Sequence, residues 1–206
     1  VLHDAGISRC VVAGWSIGVN TAFELASEHP DKVSGLFALA GVPGGTFSSM
    51  GAPLMLPRPL RRPIALGVAD TMRRLGPALT PVTSRLPMGR LSAQLLTHSG
   101  FMLPVEGDTA DVRRAVSEFL TTPVEWYMHL TRAAAAHPRV SLRSVRVPTS
   151  FVAGRHDLLA SAHDMRTAAE RVPDAAYRVL RGSHFLPLEH PTPVHDELLA
   201  LVSRTG

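Results

Sequence analysis

At 206 residues, 45% of them hydrophobic, the chain can bury a core as one domain or as one domain with an insertion, which excludes the fibrous and disordered classes. The formal charge of +4 is almost all arginine, Lys32 being the sole lysine, and it is spread along the chain, so no nucleic-acid partner is expected. Cys10 stands alone, which excludes an intrachain disulfide framework and suits a reducing, cytoplasmic setting; no apolar run reaches the ~20 residues of a membrane span, so no membrane insertion is expected.

In chain order, Val11 to Ala13 is a short β-branched apolar run closed by Gly14 and predicts a buried strand. Val19, Ala22, Phe23 and Ala26 then recur at helical spacing, predicting a helix from Ile17 to Glu28 that stops at His29-Pro30. Val33 to Ala40 reads as the next strand. Strand, helix, strand is a βαβ unit and implies a parallel sheet.

From Gly41 to about Pro63, glycine, proline and methionine dominate and no regular element is predicted. Helices are expected at Ile64 to Leu75, at Leu91 to His98 and after a cap at Asp108, the last with Val112, Ala115, Val116, Phe119 and Leu120 as its apolar stripe. Thr122, Pro123 and Glu125 make an N-cap, a first-turn proline and a capping-box partner for a helix through Trp126 and Leu130 to about Ala136, ended by His137-Pro138. The middle of the chain is therefore mostly helical, with no strand of its own. Arg58, Arg61, Arg62, Arg73 and Arg74 could touch an anionic surface, but they read better as a solvated helix face.

The β/α alternation resumes with a strand at Thr149 to Ala153, a helix at Ala160 to Arg171, a strand at Ala176 to Leu180 and a closing helix at Pro193 to Ser203. No internal repeat interrupts this order.

Between the first strand and first helix stands Gly14-Trp15-Ser16-Ile17-Gly18, a G-x-S-x-G elbow where that motif belongs. The turn is tight enough that residues two before and two after the serine are expected to be small, and it lifts the hydroxyl clear of the sheet while the Ile17 N–H faces a developing oxyanion. A glycine-flanked N-cap serine is the plainer alternative. A serine needs a base, and the base a group that fixes its tautomer. Asp157 follows the Thr149 to Ala153 strand and His184 follows the next, so both are expected at the same sheet edge as Ser16, in the order Ser, Asp, His that accompanies the elbow. His156 and His190 are read as structural or solvent-facing, and Asp164 and Asp174 fall away from strand ends. The remaining histidines show no metal-ligand spacing, so no metal site is expected; Gly41, Gly44 and Gly45 lack the G-x-G-x-x-G order and no P-loop lysine exists, so no nucleotide cofactor is expected.

Carried by these stretches, the chain resembles the α/β-hydrolase superfamily, specifically its serine esterases with a helical cap. The resemblance implies a partial α/β-hydrolase fold: residues 1–45 and 146–206 as core, a parallel sheet with helices on both faces, and residues 46–145 as a helical cap insertion. It makes Ser16 the nucleophile, Asp157 the acid and His184 the base, with no cofactor. A serine at the elbow argues against the aspartate-bearing dehalogenase and epoxide-hydrolase branches. In this family the elbow follows the fifth of eight strands, so the chain, which opens with Val1, is expected to lack upstream strands and the loop giving a second oxyanion donor.

Trp15, Met128, Phe185 and Leu186 are expected to line an apolar substrate pocket, with Met50, Met55 and Met102 adding soft surface or packing the cap against itself. The expected activity is cleavage of a small to medium apolar carboxylic ester, thioester or lactone. An acyltransferase or perhydrolase would use the same residues, and a non-catalytic binding module would be marked by a broken triad.

Overall fold

The computed structural model describes residues 2–44, 47, 50, 55–105, 109–136 and 141–205. Four strands, β1 (Cys10–Trp15), β2 (Val33–Leu39), β3 (Thr149–Gly154) and β4 (Ala175–Leu180), form one sheet in the order β1-β2-β3-β4. Every pair is parallel, with Trp15 beside Leu39 and Gly154 beside Leu180. The strand ends therefore lie along one carboxyl edge, and whatever follows them meets there.

Side-chain alternation divides the core between the two faces. On one, Leu36, Ala38, Phe151 and Ala153 meet Val19 and Phe23 of α1 (Gly18–Glu28) and Met165, Ala168 and Ala169 of α6 (Ala162–Ala169). On the other, Phe37, Leu39, Val152 and Leu180 meet Leu201 of α8 (Pro191–Ser203), with Val194 and Leu198 alongside. Each large side chain buried in this way contributes about 1.5–3 kcal/mol. Central strand β3 is buried along its whole length, as a parallel sheet covered on both faces requires.

Between β2 and β3 come α2 (Arg58–Thr83), α3 (Arg90–Thr97), α4 (Ala110–Thr121) and α5 (Val124–Ala136), and no strand occurs there among the described residues. The expected caps at Asp108 and stop at His137-Pro138 fall outside the described residues.

Helix α2 departs most from the sequence reading. Expected only from Ile64 to Leu75, it runs 26 residues through Pro63, Pro77 and Pro81. Packing overrides the proline penalty, because α5 lies alongside and the approach is close at Gly76, where a Cβ would come 2.7 Å from the Glu125 nitrogen. The expected capping box is also replaced. Thr80 Oγ1 accepts the Val124 N–H at 3.0 Å and donates to Glu125 Oε2 at 3.0 Å, so the oxygen at this helix start comes from α2 rather than from Thr122. Within α4, Val112 is buried as expected, but Phe119 is exposed and packs edge-on against Tyr127 instead.

Past β4, a short helix α7 (Leu186–Glu189) precedes α8, which starts at Pro191, two residues earlier than predicted. No described helix is long and apolar enough to cross a membrane.

Candidate active site

The turn after β1 is as tight as its sequence implies. Ser16 has φ 56°, a left-handed conformation that costs a non-glycine residue roughly 1–2 kcal/mol. It is held there by its N–H, which donates to the Leu39 carbonyl at 3.0 Å, and by its own carbonyl, which accepts the first-turn N–H of Val19 at 3.1 Å. The steric argument holds for one flanking glycine and not the other. A Cβ on Gly14 would lie 2.5 Å from the Gly18 carbonyl oxygen, whereas a Cβ on Gly18 would meet nothing within 4 Å. Gly18 is thus small without being sterically required, while Gly14 cannot be otherwise.

Three side chains from three strand ends meet at this edge. Ser16 Oγ lies 2.8 Å from His184 Nε2, and His184 Nδ1 lies 2.9 Å from Asp157 Oδ2. The carboxylate faces Nδ1, so that nitrogen carries the hydrogen and Nε2 is left to accept from the serine hydroxyl. Asp157 and His184 are 1% and 5% exposed, so water competes little for either bond. The other carboxylate oxygen accepts the N–H groups of Leu159 at 2.7 Å and Ala160 at 2.8 Å, leaving Asp157 no freedom to turn away. Arg155 and His156 continue the sheet ladder beyond β3 by donating N–H bonds to Leu180 and Gly182, which ties the aspartate loop to the histidine loop.

A cavity of about 290 Å³ opens at Ser16 and His184. Its walls come largely from α2 and α5: Ile64, Ala65 and Val68 on one, Tyr127, Met128 and Thr131 on the other. Asn20 lines it too, and its amide oxygen accepts the Gly44 N–H at 2.6 Å, holding the loop after β2 in place. Burial raises the Tyr127 phenol above its ordinary pKa of 10.0, so that side chain is neutral near pH 7.

The four expected pocket residues separate. Met128 lines the cavity, and Met50 does as well. Trp15 instead lies over the His184 backbone, its indole N–H donating to the His184 carbonyl at 3.0 Å, with the two rings 5.6 Å apart. Phe185 turns to Phe101 and Trp15. Leu186 is a correction: it has no exposed surface and fills the core among Phe37, Leu39, Val152 and Leu201, because the first residue of α7 faces the sheet. Met102 is likewise fully buried, and Met55 is exposed to solvent.

Arg61 is a second correction. Expected on a solvated helix face, it lines the cavity and donates through Nε to the Leu56 carbonyl at 2.7 Å. The α2 lining repeats at positions 61, 64, 65, 68 and 69, a helical stripe that begins one turn before the expected Ile64 to Leu75 helix.

Comparison with known proteins agrees with this architecture. The family model described as alpha/beta hydrolase fold matches residues 2–191. A search of curated proteins returned no match. Among solved structures, a thermophilic esterase from Thermogutta terrifontis is 19% identical with a TM-score of 0.67, the alignment covering 98% of this chain and 68% of that one. The enol-lactonase from Burkholderia xenovorans LB400 is also 19% identical, with a TM-score of 0.65 and coverage of 98% and 68%. Est816, an N-acyl homoserine lactone degrading enzyme, is 25% identical with a TM-score of 0.62 and coverage of 97% and 70%. The chain thus spans little more than two thirds of each of these relatives. With the family model extending over nearly all of its length, the chain belongs to the alpha/beta hydrolase fold family.

Proposed function

We propose that this chain carries the acyl-transfer centre of a serine hydrolase that cleaves a small to medium apolar carboxylic ester, thioester or lactone. The observation that carries the reading is the unbroken chain from Asp157 through His184 to the hydroxyl of Ser16, whose backbone is strained and which lines an apolar cavity. An intact arrangement of this kind weighs against a non-catalytic binding module.

In this reading His184 Nε2 takes the Ser16 proton as Oγ attacks the substrate carbonyl carbon, and Asp157 stabilises the imidazolium formed. The Ile17 N–H, at the N-cap of α1, donates to the oxyanion. Collapse of the tetrahedral intermediate expels the alcohol, thiol or lactone oxygen, which takes the proton from His184, and leaves the acyl group on Ser16. Water, deprotonated by His184, then releases the acid. An aligned general base and nucleophile supply the geometry this sequence of steps needs before any substrate arrives.

Residues 46–145 form the cap of this enzyme, with residues 1–45 and 146–206 as its core. Lining by α2 and α5 supports that assignment and makes the cap the source of substrate choice. A volume near the bottom of the ~300–1,000 Å³ range of ligand pockets favours a small acyl group. The lactonase and lactone-degrading relatives are consistent with a cyclic ester as one such substrate.

The test is covalent labelling. A fluorophosphonate should leave a single adduct on Ser16 by mass spectrometry, and Ser16→Ala should lose both the adduct and turnover of short p-nitrophenyl esters. An adduct elsewhere, or turnover retained in the alanine variant, would overturn the reading.

A further inference from the structure

Glu189 is a glutamate with no exposed surface. Taking a carboxylate out of water is unfavourable unless donors replace the solvent, and here three do so. Ser183 donates its backbone N–H to Oε2 at 2.6 Å and its hydroxyl to Oε1 at 2.5 Å, and Leu103 donates its N–H to Oε1 at 2.7 Å. Ser183 Oγ in turn accepts the Phe185 N–H at 3.2 Å. The loop wraps the carboxylate closely, since a Cβ on Gly182 would come 2.8 Å from Oε2.

Ser183 and Phe185 flank His184. The backbone on both sides of the imidazole is therefore tied to one side chain at the end of the four-residue helix α7, directly at Ser183 and through the Ser183 hydroxyl at Phe185. Glu189 does not touch the cavity or the Ser16 hydroxyl. It reaches the reacting groups only through the loop that carries His184.

We propose that Glu189 is the positioning residue for His184: it holds residues 183–185 in the register that keeps Nε2 against Ser16 Oγ while Nδ1 stays on Asp157. Through the Leu103 N–H the same carboxylate ties that register to the segment joining α3 and α4, so the base and that part of the middle segment share one anchor. This rests on the serine-hydrolase reading above, because positioning matters only where His184 must accept a proton from Ser16.

Glu189→Gln is the informative variant. A carboxylate offers an acceptor to both N–H groups at once, whereas an amide offers one oxygen and presents an NH₂ to the other, so one of the two anchors is released without loss of volume. Ser183→Ala is the second variant, since it keeps the carboxylate and both backbone bonds but breaks the hydroxyl link to Phe185. In the purified protein, both are expected to fold, to lower kcat for p-nitrophenyl butyrate by about tenfold or more with KM within about threefold, and to slow fluorophosphonate labelling of Ser16 in parallel, as small misplacements of a base do. Folded variants with kcat and labelling within twofold of the unmodified protein, whatever their melting temperatures, would reduce Glu189 to a structural residue. Normal labelling of the unmodified protein would then leave the hydrolase reading standing. Absence of any Ser16 adduct in the unmodified protein would remove both.

Discussion

Gly154 lies directly against the Ser183 backbone: a Cβ built on Gly154 would fall 2.2 Å from the Ser183 carbonyl oxygen. The last residue of the strand that leads to Asp157 thus touches the residue before His184. Any side chain at this position must push the aspartate and histidine loops apart. Gly154→Ala is expected to destabilise the fold by about 1–3 kcal/mol through overpacking, readable as a lower urea midpoint. It should also slow Ser16 labelling in the fraction that remains folded, and an unchanged midpoint and labelling rate would count against this contact.

The left-handed backbone of Ser16 predicts a separation of stability from activity. Ser16→Gly and Ser16→Ala both remove the hydroxyl and should both abolish ester turnover, but only glycine relieves the positive φ. The glycine variant should be more stable than the alanine variant by roughly 1 kcal/mol in chemical denaturation. Equal stabilities would mean that the turn relaxes in solution.

Asp157→Asn tests the direction of the hydrogen bond to Nδ1. The carbonyl of an asparagine can keep accepting from Leu159 and Ala160, which turns its NH₂ toward His184. Nδ1 must then accept, Nε2 must carry the hydrogen, and the imidazole can no longer take the serine proton. Turnover is expected to fall by ~10⁴ with little loss of stability, measured as kcat on a short ester. A drop of less than tenfold would show that the carboxylate is not needed to set the tautomer.

Chain-length preference should be set by α2. Ala65 lines the cavity and is 8% exposed, so Ala65→Leu fills part of its about 290 Å³. The kcat/KM for p-nitrophenyl hexanoate should drop at least about tenfold while that for the acetate changes by less than about threefold, since one methylene in an apolar pocket is worth roughly 10–200-fold. Equal losses on both esters would place acyl binding elsewhere.

Much of this centre is legible in the chain because its signals are local. Gly14 to Gly18 form one turn, and the residues after β3 and β4 reach the same edge as Ser16 simply because parallel strands all end on one side. The order of strands and longer helices in the core follows from hydrophobic period and its glycine and proline punctuation, with ends shifted by only a few residues, while the short helix α7 is not foreseen. Leu186 shows the limit of neighbourhood reasoning. It adjoins His184 by two positions, yet the turn into α7 sends it to the core, and adjacency in sequence does not give the direction of a side chain.

What the sequence by itself determined, then, is the parallel core and the meeting of Ser16, Asp157 and His184, since these depend on periodicity and on strands sharing a direction. Tertiary structure alone decided that α2 continues through its prolines against α5, that Thr80 replaces Thr122 at the start of α5, and that Glu189 anchors Leu103. Each of these joins residues far apart along the chain or reverses a local preference. Their common cause is that burial and close packing weigh more than local propensity, and no window of sequence contains the partner that tips the balance.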